Sequence, residues 1–209
     1  MKAFLVMGRT LKAVYEELFL CVYLSVLWWL GTILVVTAAP ATVGLHHVAN
    51  RIANYKRVDS GFFWEAARSN IKRGWTLYLI NLLVPIIIAT SVFFYLSSTG
   101  WLRILGFVCI WLFIFVLMFS QYYFPLFWQQ DEPNIRLVVR NSVLLALQHP
   151  LYTFLMLLFQ ILMLGLSTAI TLPLFLLAPA IIAIGANFAL TGMLQELGLA
   201  PQPPQAAPR

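Results

Sequence analysis

The sequence predicts an all-α membrane protein with five transmembrane helices and amphipathic interfacial helices between spans 1 and 2 and between spans 3 and 4. Three observations carry this. Residues 18–50, 74–102, 104–130 and 141–195 contain no Asp, Glu, Lys or Arg, so 144 of 209 residues lie in charge-free windows. The chain is 62% hydrophobic and 10% charged, where soluble domains carry roughly 25% charged residues. Its mean hydropathy is +0.88. About 20 apolar residues at 1.5 Å rise cross a bilayer's hydrocarbon core. Backbone groups in lipid must pair within their own segment, so each crossing is a helix. No polar stretch is long enough for a separate soluble domain, and residues 1–195 form one transmembrane unit.

From the N-terminus, Phe4, Met7, Leu11, Val14 and Leu18 recur at helical spacing opposite Arg9, Lys12 and Glu16. That pattern predicts an interfacial helix leading into the first span. Span 1 covers 18–38, an apolar run longer than a signal peptide's core. Trp28 and Trp29 fall inside it and are read as packing against other helices. Pro40, Thr42 and Gly44 read as a helix stop and re-entry turn. An amphipathic helix follows, with Leu45, Val48, Ala49, Ile52 and Tyr55 on one face and His46, Asn50, Asn54 and Arg57 on another. After a break at 58–61, Ser60 is placed to cap a second helix. Its stripe of Phe63, Ala67 and Ile71 opposes Glu65, Arg68 and Lys72.

Span 2 is placed at 75–96 and span 3 at 104–124, ended by Pro125. Asp131, Glu132 and Pro133 give a helix-start arrangement, predicting an amphipathic helix over 135–148. Span 4 at 151–167 and span 5 at 172–194 divide the last window, with Thr171, Pro173 and Pro179 around the turn. The order Pro40, amphipathic helix, span 2 is echoed by Pro125, amphipathic helix, span 4, which hints at a parallel repeat of the kind seen in transporters. Residues 196–209 carry Pro201, Pro203, Pro204 and Pro208 and are expected to be a disordered tail.

Five crossings put the termini on opposite sides. The segments between spans 1 and 2, between spans 3 and 4, and after span 5 hold nine basic residues, against four on the other side. Basic residues favour the cytoplasmic face, so the N-terminus is expected outside and the C-terminus in the cytoplasm, in a bacterial cytoplasmic membrane. The net charge of +6 is then an affinity for anionic lipid rather than for nucleic acid.

Chemistry is sparse. Proton-coupled transporters keep ionisable residues within their spans, whereas the polar residues here are Ser25, Asn81, Ser91, Ser120, Gln121, Gln160, Ser167, Thr168 and Asn187. Such side chains stitch helices together. There is no Gly-rich phosphate loop, and Glu16-Glu17 and Asp131-Glu132 are sequence neighbours that point apart on a helix. His46-His47 lacks the i, i+4 spacing for a shared metal. Cys21 and Cys109 form no C-x-x-C pair and read as buried hydrophobes. No cofactor is expected, and the chain is read as non-enzymatic. A candidate docking or lipid-headgroup surface is Arg51, Lys56, Arg57, Arg68, Lys72 and Arg73. The fragment Glu65-Ala66-Ala67 invites comparison with the coupling loop of ABC importer permeases, but Ile71 stands where that loop has Gly, and the motif is read as coincidence.

Several stretches together resemble the YesL family of bacterial integral membrane proteins, whose molecular function is unknown. They are residues 25–30 (SVLWWL), 40–45 (PATVGL), 62–64 (FFW), 70–72 (NIK), 124–126 (FPL) and 140–150 (RNSVLLALQHP). The family often has Asn where Ser25 stands and a small residue where Leu45 stands. The resemblance implies an accessory role in carbohydrate import beside ABC transporter subunits, and carries over no active-site residue. Its alternative is a small transporter or channel acting as a self-oligomer, and the more distant one a membrane enzyme on lipid-linked substrate.

Overall fold

The computed structural model describes residues 2–130, 134–169 and 172–202. Among these residues it contains ten helices and no strand. In chain order they are α1 (Lys2–Glu16), α2 (Leu18–Ile33), α3 (Ala38–Ala53), α4 (Ser60–Ser69), α5 (Ile71–Ser97), α6 (Leu102–Ser120), α7 (Tyr123–Gln129), α8 (Ile135–Gln148), α9 (Pro150–Ala169) and α10 (Leu172–Glu196). Four segments are long and apolar enough to cross a membrane: Ile71–Ser97, Leu102–Gln129, Pro150–Ala169 and Leu176–Glu196. A fifth, Ala3–Glu16 with Leu18–Ile33, qualifies only as a pair bent by 91°.

The hub is α10. Its residues from Ala178 to Leu194 are almost all buried, packed by α1, α2, α3, α7 and α9. By contrast α5 buries only Gly74 and Leu77. Its Leu82, Leu83, Ile86, Ile87, Phe93 and Phe94 are exposed, as suits a helix bathed in hydrocarbon. Where lipid replaces water, burial no longer drives helices together, and close approach through small residues does. Gly31 meets Ala41, where a Cβ would come within 2.6 Å, and Gly106 meets Leu96 at 2.7 Å.

Span 1 is corrected. Helix α2 stops at Ile33, and residues 34–37 form a turn in which Val35 has φ 55°. The Thr37 hydroxyl donates to Gly31 O at 2.9 Å and helps close this turn. The stop therefore precedes Pro40. Pro40 lies in the first turn of α3, where a missing N–H costs nothing because that group has no intrahelical partner, and Thr42 and Gly44 lie inside the helix. Pro125 likewise falls in the first turn of α7, after α6 has ended at Ser120.

A second correction concerns α3. The sequence shows an amphipathic helix with a polar stripe, but α3 buries twelve of its 16 residues and lies in the core. Its polar face is covered because α7 and α10 supply polar partners, described below. The flanking α4 and α8 keep one-sided burial: Phe63, Ala66 and Ala67 on α4, and Val138, Ser142, Leu145 and Ala146 on α8. Ile71 does not join the α4 stripe; it opens α5 and is half exposed. The cap of α4 is Asp59, whose side chain accepts from Gly61 N at 3.1 Å, with the Ser60 hydroxyl also donating to it. Those donors hold the Asp59 carboxyl below its usual range. On α8 the cap is Asn134, accepting from Arg136 N at 3.0 Å. The Asp131-Glu132-Pro133 start lies outside the described residues, as do Thr171 and the tail from Pro203.

Stitching by uncharged polar side chains is seen directly. Trp28 Nε1 donates to Thr42 Oγ1 at 3.0 Å, joining α2 to α3. Gln160 Nε2 donates to Gln121 Oε1 at 3.1 Å, and Gln121 Nε2 to Thr153 O at 3.2 Å, tying α9 to the end of α6. Pro179 lies within α10 rather than in a turn, and the next N–H, of Ala180, donates to Ser25 Oγ on α2 at 3.3 Å.

Candidate functional site

The charged residues gather where helices begin and end, and one gathering is a built corner. Helix α4 is seated on α3 by Phe63, 2% exposed, which lies against Gly44. Helix α5 is seated by Gly74, where a Cβ would come within 2.7 Å of Val43. Between them Asn70 closes one helix and opens the next, its Nδ2 donating to Ser69 Oγ at 2.9 Å. No side chain caps α5. The corner forms an open depression of about 270 Å³ lined by Arg68, Ser69, Asn70, Ile71, Lys72 and Arg73. Three cations and the positive end of a 27-residue helix converge there, an arrangement that favours an anion.

The other predicted cations divide. Lys56 and Arg57 are exposed in the connection after α3. Arg51 is held within that connection: its guanidinium carbon lies 3.6 Å from the Phe62 ring centroid, and its Nε donates to Arg57 O at 2.9 Å. It staples the end of α3 to the start of α4 and does not reach the corner cavity. Arg136 and Arg140, outside the predicted surface, line a second cavity of about 560 Å³ with Asn134 and Leu137. Their spacing of four on an amphipathic helix is the sequence signal that marks them. A third cavity, of about 260 Å³, is walled by Val6 and Arg9 of α1, Tyr152 of α9 and Gln195 and Glu196 of α10.

Beneath this charged rim runs a polar seam. Asn187, fully buried on α10, donates from Nδ2 to Ala183 O at 2.8 Å and lies 3.3 Å from His46 Nδ1. With Asn187 as donor, Nδ1 is the acceptor and the imidazole is neutral. Burial also pushes the His46 pKa down to about 3. The ring stacks on Phe124 at 4.9 Å. His47 lies 4.2 Å from the Trp128 ring, and burial followed by the charges of Arg51 and Lys56 lowers its pKa to about 4. Trp128 Nε1 donates to Val43 O at 3.1 Å, and Asn50 and Asn54 reach Gln129 Oε1 at 3.4 and 3.5 Å. Among the described residues, the buried atoms His47 Nδ1, Gln130 Oε1 and Asn187 Oδ1 have no hydrogen-bond partner.

Among the described residues no carboxylate bonds either imidazole, and the two neutral rings pack among amides with spare hydrogen-bonding capacity. Among the described residues no three His, Cys, Asp or Glu side chains are grouped to hold a metal. The His-His pair announced the seam in the sequence only faintly, because its partners lie on α7 and α10, up to 141 residues away. Comparison of the chain with protein-family models, with curated proteins and with solved structures finds no match.

Proposed function

We propose that this membrane protein is a non-enzymatic accessory subunit whose working surface is the basic corner of α4 and α5, facing the cytoplasm and holding a partner against an anionic leaflet. The observation that carries this reading is the convergence of Arg68, Lys72 and Arg73 on one cavity at the start of a membrane-crossing helix. None of the three pairs with a described acidic residue, so their charge is available to an outside anion. The resemblance to the YesL family supports a partner among carbohydrate ABC transporter subunits. The test is gentle purification from the native membrane and identification of what accompanies the protein. Transporter subunits should be enriched, and R68E/K72E/R73E should lose them while the spans stay folded. Sugar movement by the pure protein in liposomes, with no subunit enriched, would overturn the proposal.

One observation favours a second reading, a small transporter or channel built as an oligomer. The α5–α6 hairpin exposes apolar side chains along most of its length and offers area for a second copy. A strictly monomeric protein in bilayers would remove that reading.

A further inference from the structure

We infer that α1 and α2 form a shallow re-entrant pair, entering and leaving the membrane on one face, so that the chain crosses four times and both termini lie on its basic side. This rests on contacts within the fold and is independent of the docking role.

The reference is set by the four unbent spans. Helix α5 leaves one face, α6 returns, α9 leaves and α10 returns. The starts of α5 and α9 and the end of α10 therefore share a face. The beginning of α1 belongs to it. Val6 and Arg9 line a cavity with Tyr152, the third residue of α9, and with Gln195 and Glu196, the last two of α10. A Cβ on Gly192 would lie 3.3 Å from Val6. The end of α2 belongs to the same face. Trp28 bonds Thr42 at 3.0 Å and Gly31 abuts Ala41, while the next residue, Val43, sits on Gly74, the fourth residue of α5.

Both ends of the bent pair are thus held on the face where α5 begins, and length then limits its depth. Arms of 15 and 16 residues are about 22 and 24 Å long at 1.5 Å per residue. At 91°, with both ends in one plane, the hinge lies at most about 16 Å below it, half of a core about 30 Å thick. Charge opposes any deeper insertion. Lys12 and Glu16, paired at 3.6 Å and both exposed, and Glu17 lie at or beside the hinge. A charged residue at the bilayer centre costs about 2.5–3.5 kcal/mol on insertion scales.

The arrangement also resolves the charge distribution. With five crossings, Lys2, Arg9 and Lys12 oppose the other basic residues. With four, they join Arg51, Lys56, Arg57, Arg68, Lys72, Arg73, Arg136 and Arg140, leaving Arg103 as the only cation of the described residues on the far side. That asymmetry is what the preference of Lys and Arg for the cytoplasm produces. The far side also has little to offer a partner, since α5 and α6 are joined there by residues 98–101 alone. Recognition of any water-soluble or peripheral partner falls to the basic face.

Single cysteines test this in inverted and right-side-out membrane vesicles with a membrane-impermeant maleimide, wild type giving the baseline for Cys21 and Cys109. Gly8→Cys sits on an exposed position with nothing within 4 Å of its Cβ, and Leu199→Cys and Thr99→Cys are also exposed. Gly8→Cys and Leu199→Cys should label in inverted vesicles only, and Thr99→Cys in right-side-out vesicles only. Labelling of Gly8→Cys together with Thr99→Cys overturns the inference. Should Gly8→Cys stay silent in both, complementary split-reporter fragments before Met1 and after Arg209 decide it: complementation by the cytoplasmic partner fragment at both ends supports four crossings, and at one end alone refutes them.

Discussion

Gly44 is where α4 rests on the core, and its replacement by alanine separates packing from propensity. An alanine Cβ at 44 would lie 2.8 Å from the Phe63 carbonyl oxygen and 2.9 and 3.0 Å from its ring carbons. The carbonyl is backbone and cannot rotate aside, and the ring is buried, so α4 must move away from α3. Overpacking of this kind costs about 1–3 kcal/mol. Alanine also gains about 1 kcal/mol of helix propensity over glycine, which offsets part of that cost. Gly8→Ala supplies the reference, being a helix-interior glycine with nothing within 4 Å of its Cβ. The difference between the two variants is then the packing cost alone. For a chain of this size each kcal/mol shifts Tm by about 2–4 °C, so Gly44→Ala should melt about 2–12 °C below Gly8→Ala. Circular dichroism in one detergent, at a fixed scan rate because membrane proteins unfold irreversibly, measures it. The displaced α4 carries Arg68, so attachment to anionic vesicles should weaken as well. Equal melting of the two variants would refute the packing account of α4.

Other expectations follow from the seam and the stitches. Both histidines have folded pKa values below the unfolded value of about 6.5, at about 3 and 4. The unfolded chain therefore binds protons first on acidification: stability is full above about pH 6.5 and falls toward pH 4. Melting against pH in His46→Gln and His47→Gln should lose part of that slope, and an unchanged slope would show the imidazoles uninvolved. Ser25→Ala removes the side-chain acceptor that joins α2 to the Ala180 N–H of α10 and should cost about 0.5–1.5 kcal/mol, read as a lower melting point beside a neutral Ser91→Ala, whose hydroxyl bonds only its own helix at Ile87 O. Trp28→Phe keeps an aromatic ring, though a smaller one, and loses the indole N–H that bonds Thr42. A cost of about 0.5–1.5 kcal/mol is expected, and Thr42→Val in the Trp28→Phe background should add little if the two side chains act as a pair.

The chain by itself determined the class of solvent. Windows without charge are legible because hydrocarbon excludes ions whatever the fold, and the spans at α5, α6, α9 and α10 fall close to where that exclusion places them. It also marked amphipathic helices wherever charge returned, and α4 and α8 keep such faces. Three things needed tertiary contacts. The polar stripe of α3 has the periodicity of a surface helix, yet Gln129, Phe124 and Asn187, distant in sequence, cover it. The corner at Arg68, Lys72 and Arg73 is a cavity only because Gly44 and Gly74 let α4 and α5 approach α3. The first apolar window is long enough to cross, and hydropathy counts its residues without knowing their direction. The bend at Glu17 and the turn at 34–37 return the chain to the start of α5, because contacts with Thr42 and Ala41 hold α2 there.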